Sequence, residues 1–397
     1  MTDVDEAALI AFTQELVRIP SVHDPARGLS EEPAAELVAA QMRAFGWDPQ
    51  LDVVEPGRPN VIAVVDGGGG PGPTLMFEGH TDVVTEGDGW TVDPFGAEIV
   101  DGKMFGRGSA DMKGGLAAML FATHALQQRG RFPGHIVLAA LVDEEGMMLG
   151  AKDLVARGRT AGVDGVICCE PEGGEICHVA KGALRLRLDF SGKMAHGAMP
   201  FQGRNPNRAV GRAIDALAEL ELAVQARFGD DPHLGQVWIT PTVLRAGEPV
   251  QMNVMPAGAS LWLDVRTIPS VDHAELLAEL TEVVARSVRE LGIGSDVSVI
   301  DDRPAVATAE DDWLVRAVWD AHADVTGTEP RLGGVPGATD GTVITSRTGM
   351  ASVVYGPGGK WIAHQADEFV EIADLVTHAA VYVEAADRFL RPVAPTT

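Results

Sequence analysis

Thr74-Leu75-Met76-Phe77-Glu78-Gly79-His80-Thr81-Asp82-Val83-Val84 is the stretch that decides the fold. Thr74 to Phe77 has the apolar character of a strand, and a histidine and an aspartate follow directly. Open α/β sheets place their sites at such strand ends. Upstream, helical patterns over Asp5 to Val17 and Ser30 to Phe45, the latter stopping at Gly46, alternate with the strand-like run Asn60 to Val65, and Ile136 to Val142 repeats it downstream. Alternation of this kind predicts a sheet with helices on both faces.

Four further motifs have the same character: Gly106-Arg107-Gly108-Ser109-Ala110-Asp111-Met112-Lys113-Gly114-Gly115, Asp143-Glu144-Glu145-Gly146, Cys169-Glu170-Pro171 and Ala363-His364. A lone His or Asp in a loop is usually a cap or a turn former. Two imidazoles and three carboxylates, each closing an apolar run, are instead a donor set for a pair of divalent cations, zinc or a close substitute such as cobalt or manganese. The run Asp143-Glu144-Glu145 also precedes a helix and would cap its positive end.

The pattern changes at Lys181. Leu184, Leu186, Leu188 and Phe190 alternate with Arg185, Arg187 and Asp189, which is a strand with one wet face. Helices follow on Val210, Ile214, Leu217, Leu220 and Val224 and on Leu277, Leu280, Val284, Val288 and Leu291, with Gly292 as a stop. Strands are expected around Val237 to Val243, Leu261 to Val265 and Val297 to Ile300. The alternating style resumes with a helix from Asp311 to Val325, a strand from Ala351 to Tyr355 and a helix from Asp374 to Phe389. The fold class is therefore α/β: a catalytic α/β/α domain with a mixed sheet, residues 1–180 and 303–397, interrupted by an inserted α+β domain with an antiparallel sheet, residues 181–302. A Pro-rich tail from Pro392 is expected to fray.

Two domains suit 397 residues. A net charge of −26 opposes binding to nucleic acid or anionic lipid and leaves small molecules and cations as partners. The acidic start, Met1-Thr2-Asp3-Val4-Asp5-Glu6, has no signal-peptide pattern and no apolar run reaches membrane-spanning length, so a cytoplasmic protein is expected. Cys168, Cys169 and Cys177 make an odd set with an adjacent pair, poor material for disulfides. Cys169, beside Glu170, is expected to pack in a buried strand, with no part in metal binding. Among the 11 histidines, His124, His322 and His378 fall in helical runs and His23, His135, His178, His233 and His273 have no motif around them.

Taken in order, these motifs resemble the zinc aminoacylase and carboxypeptidase family that includes acetylornithine deacetylase, succinyl-diaminopimelate desuccinylase and glutamate-releasing carboxypeptidases. Arg58-Pro59-Asn60-Val61-Ile62-Ala63, Ser191-Gly192-Lys193-Met194-Ala195-His196, Asn253-Val254-Met255-Pro256, Asp264-Val265-Arg266, Gly356-Pro357-Gly358 and His364-Gln365-Ala366-Asp367-Glu368 extend the resemblance over nearly the whole chain. It implies that His80, Asp111 and Glu170 hold one metal and Asp111, Glu145 and His364 the other, with Asp111 bridging. Asp82 would orient the His80 imidazole. Glu144 would stay off the metals and act as general base towards a metal-activated water. His196, in the lid segment, would donate to the developing oxyanion, often across a dimer interface, and Arg266 with Asn253 would grip a substrate carboxylate.

The function so implied is removal of an acyl group from an N-acyl amino acid by a homodimer joined through the lid domain. A dipeptidase or glutamate carboxypeptidase would share the site, as would an enzyme cleaving N-carbamoyl groups. A binding protein without catalysis on the same scaffold would have lost the base or a ligand, and both stand in this sequence. One departure bears on the substrate: the arginine often found two residues after the aspartate of Gly337-Ala338-Thr339-Asp340-Gly341 in biosynthetic deacylases is Thr342 here, which argues against acetylornithine and succinyl-diaminopimelate.

Overall fold

The structure is a computed structural model and describes residues 4–391, so the Pro-rich tail from Pro392 lies outside the described residues. The chain divides into two compact units. One comprises residues 1–179, 307–335 and 339–397; the other comprises 180–306 with 336–338.

A nine-stranded mixed sheet runs in the order Gln50–Glu55, Arg58–Asp66, His135–Leu141, Thr74–His80, Gly165–Cys168, Ala351–Val354, Glu175–Ala180 and Val306–Ala307, with Arg331–Val335 also pairing to Glu175–Ala180. Its centre is parallel: Thr74–His80 pairs with His135–Leu141 on one side and Gly165–Cys168 on the other, and Ala351–Val354 continues in the same sense. These strands are buried along nearly their full length, as covered parallel strands must be. The strand beginning at Thr74 extends three residues beyond the expected Phe77, so His80 is its last residue.

Helix Gly114–Arg129 is apolar on almost every side and lies in the core, packed against helix Ile372–Leu390. Gly115 permits this. A Cβ there would fall 1.9 Å from the Cys169 carbonyl oxygen, so only glycine lets the helix start that close to the strand end preceding Glu170. The helix expected from Ser30 begins at Glu32, because Pro33 is tolerated only in a first turn.

The segment from Gly337 is irregular as far as Thr339, and at Asp340 it becomes the helix Asp340–Thr348. Thr339 caps that helix, and its own amide donates to Thr342 Oγ1 at 3.0 Å. The Thr342 hydroxyl thus serves a helix terminus.

The second unit carries a four-stranded antiparallel sheet in the order Trp238–Ala246, Gly258–Thr267, Gly182–Ser191 and Gly294–Arg303. The buried-exposed alternation of Gly182–Ser191 puts Leu184, Leu186, Leu188 and Phe190 on the covered face. Helices Pro206–Phe228 and His273–Val288 carry the matching apolar stripes. No helix among the described residues is long and apolar enough to cross a membrane.

Candidate metal centre

His80, at the end of its strand, is wholly buried. Its Nδ1–H donates to the Asp82 backbone carbonyl at 2.9 Å, which leaves the Nε2 lone pair facing inward. Nε2 lies 3.2 Å from Asp111 Oδ1 and 3.6 Å from Glu170 Oε1. On the other side of Asp111, Oδ2 lies 3.3 Å from His364 Nε2, and that nitrogen is 2.9 Å from Glu145 Oε1. One carboxylate therefore stands between two imidazoles, with one oxygen towards each. Tetrahedral zinc with bonds of ~2.0–2.1 Å separates its ligand atoms by about 3.3 Å, so most of these spacings are those of neighbouring ligands on one ion. The structure brings all five proposed ligands together, and Glu144 with them: His80, Asp111 and Glu145 form one group of potential donors and His80, Glu144 and Glu170 another.

The electrostatics match the donor set. Burial, then neighbouring carboxylates, pushes Glu144, Glu145 and Glu170 above the usual carboxylate range. Hydrogen bonds to Asp111 and Glu145 raise His364 to about 10. His80 is also raised, burial being outweighed by Glu170 and Asp111. Asp111 is held low against its burial by the two imidazoles. Acids driven to stay neutral beside bases driven to stay charged are an enclosure that attracts positive charge, and buried carboxylates with imidazoles suit a divalent cation.

The loop carrying Glu144 and Glu145 is fixed from behind. The Asp82 carboxylate, 3.6 Å from His80 Nδ1, accepts the Glu144 amide at 3.2 Å and the Glu145 amide at 3.1 Å. Asp143 accepts Met147 and Leu149 amides ahead of helix Leu149–Ala156, so the capping expected of all three acids belongs to Asp143. Buried Arg58 holds Asp143 at 2.6 Å and Glu31 at 2.5 Å. Its motif could be read in sequence, but this partnership could not.

Glu368 was also missed as a functional residue. It is fully buried, and its Oε1 accepts the amides of Gly108, Ala110 and Asp111, each at 3.0 Å, while Oε2 pairs with Arg107 at 2.5 Å. Those bonds shape the loop presenting Asp111, in which the Asp111–Met112 peptide is cis. Its place four residues after His364 was the only available signal.

The remaining proposed residues lie in the second unit. His196 is exposed in a two-residue strand paired with Val254–Met255, and the Gly197 amide donates to the Asn253 carbonyl at 2.7 Å, so His196 and Asn253 meet at one small two-stranded sheet. Arg266 stands on the antiparallel sheet and pairs with Asp264 at 3.1 Å. The three cysteines are free and buried, and His124 stacks on Phe45 with ring centroids 4.0 Å apart.

The model of peptidase family M20/M25/M40 matches residues 76–388. The chain is 33% identical to a succinyl-diaminopimelate desuccinylase of Methylobacterium radiotolerans, over 96% of this chain and 97% of the relative. Among solved structures, it superposes on aminopeptidase PepT of Bacillus cereus with a TM-score of 0.79 at 22% identity, covering 98% of this chain and 100% of the other. A dinuclear metal-binding peptidase of the M20 family from Bacillus subtilis gives 0.74 at 18% identity, covering 98% and 99%.

Proposed function

The chain belongs to peptidase family M20/M25/M40, a family of hydrolases, and from that membership we propose that it removes the acyl group from an N-acyl amino acid by amide hydrolysis. The observation that carries this reading is Asp111 set between His80 and His364, one oxygen to each, with Glu170 and Glu145 flanking them. His80, Asp111 and Glu170 would hold one divalent ion and Asp111, Glu145 and His364 the second, zinc or else cobalt or manganese. When bound, such ions polarise a carbonyl and lower the pKa of water towards ~7.

The chain's own groups do the rest. Asp82 aims the Glu144 and Glu145 amides, and its backbone carbonyl selects the His80 tautomer. Glu144, at the same cluster, takes the proton of the attacking water and returns it to the leaving amine. His196 donates a hydrogen bond to the oxyanion, and Arg266 with Asn253 binds the free carboxylate of the amino-acid half. We assign the second unit the part of a lid and of the contact between two copies in a cytoplasmic homodimer.

Identity with the desuccinylase supports deacylation over peptide cleavage. Metal-loaded protein incubated with N-acetyl, N-succinyl and N-formyl amino acids and with dipeptides should release free amine, read by mass spectrometry, fastest from the N-acyl amino acids. Faster cleavage of dipeptides would make the protein a peptidase. No release from any of them would leave a binding protein.

A further inference from the structure

The unit that holds the metal centre contains a second cavity, of about 500 Å³, whose lining includes none of His80, Asp111, Glu144, Glu145, Glu170 or His364. The size suits a small-molecule ligand. Its polar wall is built from His322, Tyr355, Glu371, Asp374, Thr377 and His378, and no Lys or Arg lines it.

Asp374 is the key group. His378 lies 2.9 Å from Asp374 Oδ1 through Nδ1, and the Gly358 amide donates to Oδ2 at 2.7 Å. These partners keep the carboxyl below its usual range despite burial. The side chain is still 34% exposed, so a further donor can reach it. The rest of the wall is fixed. His322 Nδ1 and the Tyr355 hydroxyl are 2.7 Å apart, and burial followed by the nearby His378 lowers the His322 pKa, which favours the neutral ring. The Tyr355 ring packs on His378 with centroids 4.7 Å apart. A preformed cavity with two carboxylates, one of them paired with His378, a neutral imidazole at His322 and no Lys or Arg favours ligands that bring positive charge and N–H donors.

We propose that this cavity is a second binding site, taking a small aliphatic amine whose ammonium group pairs with Asp374 and whose carbon chain lies along Ile362 and Phe369. The site adjoins the metal centre through the backbone alone: Gly358, held by Asp374, accepts the amide of Gly173, three residues after Glu170, and lies six residues before His364.

Calorimetric titration of the metal-loaded full chain with 1,5-diaminopentane tests the assignment, with pentane-1,5-diol as the uncharged probe of the same length. One saturable equivalent of diamine is expected per chain, with the diol at least about tenfold weaker, as loss of a charged hydrogen bond implies. Asp374→Asn should weaken the diamine by a similar factor. Because that change also touches the Gly358 amide, Thr377→Phe is the independent variant: it fills the cavity from helix Ile372–Leu390 and leaves Asp374 in place, and it should abolish binding. Absence of diamine binding, equal binding of the diol, or full binding by Thr377→Phe would each overturn the proposal.

Discussion

Glu368 shows at the residue scale how the site depends on a side chain that touches no proposed substrate or metal. It satisfies three amides of one loop and a buried guanidinium at once. In Glu368→Gln the new amide nitrogen would oppose either Arg107 or those N–H groups, so the loop presenting Asp111 must shift. Metal affinity should fall ~10- to 100-fold, the usual effect of losing an orienting partner, as measured by competition with a chromophoric chelator. A lowered melting temperature with unchanged affinity would reduce Glu368 to a fold residue. Glu144 and Glu145, though adjacent, should separate in the opposite sense. Glu144→Ala should retain its metal on elemental analysis and lose ~100- to 10,000-fold in rate, whereas Glu145→Ala should lose metal. The reverse pattern would mean that the two roles are exchanged. The five motifs that carry His80, Asp111, the Glu144-Glu145 pair, Glu170 and His364 could be read in sequence, because each is short and local, whereas their convergence was implied only by the family resemblance. Glu368 and the Arg58–Asp143 pair were not legible as partners, since nothing local to Glu368 points to Gly108 or local to Arg58 points to Asp143.

At the scale of elements, the apolar run through Gly114–Arg129 places that helix in the core and carries His124 with it onto Phe45. Burial lowers the His124 pKa. The unfolded chain keeps the ordinary value near 6.5, so between the two values it binds more protons than the folded chain, and stability rises with pH through that window. The contribution is complete above about pH 7 and is lost as pH falls below ~6.5. His124→Phe keeps a ring against Phe45 without the titration. Urea unfolding at pH 7.5 and 5.5 should show the variant gaining on the parent at the lower pH by under about 1 kcal/mol, since the ring is only partly enclosed. The same pH dependence in both proteins would clear His124 of any part. The central parallel strands were legible from their length and apolar content, as was the alternating strand from Gly182. The small sheet of Glu98–Val100, Lys103–Phe105 and Phe369–Glu371 was not. Three-residue strands carry too few positions for a period to show.

For the whole molecule, the proposed mechanism draws on groups from separate compact units. His196 and Asn253 lie in one unit and every proposed metal ligand in the other. If His196 is supplied by a partner copy, mixing Glu144→Ala chains with His196→Ala chains, each inactive alone, should restore activity in the hybrid, because one of its sites then has both native groups. A hybrid that stays inactive while unsubstituted chains carried through the same mixing remain active would place the role in cis or remove it. The sequence by itself determined the kinds of element, their alternation, the change of style near Lys181 and the chemical types of the proposed ligands. Those depend on spacing within a few residues, which the helical and strand periods impose directly. Only the tertiary structure decided that Asp111 stands between His80 and His364, that the Asp82 backbone carbonyl selects the His80 tautomer, that Thr342 completes a helix cap and that Glu368 shapes the loop of Asp111. Apart from the Asp82 and Thr342 bonds, which depend on local backbone geometry, these contacts join residues 31 to 260 positions apart. They arise when the packed core brings distant strand ends to one place.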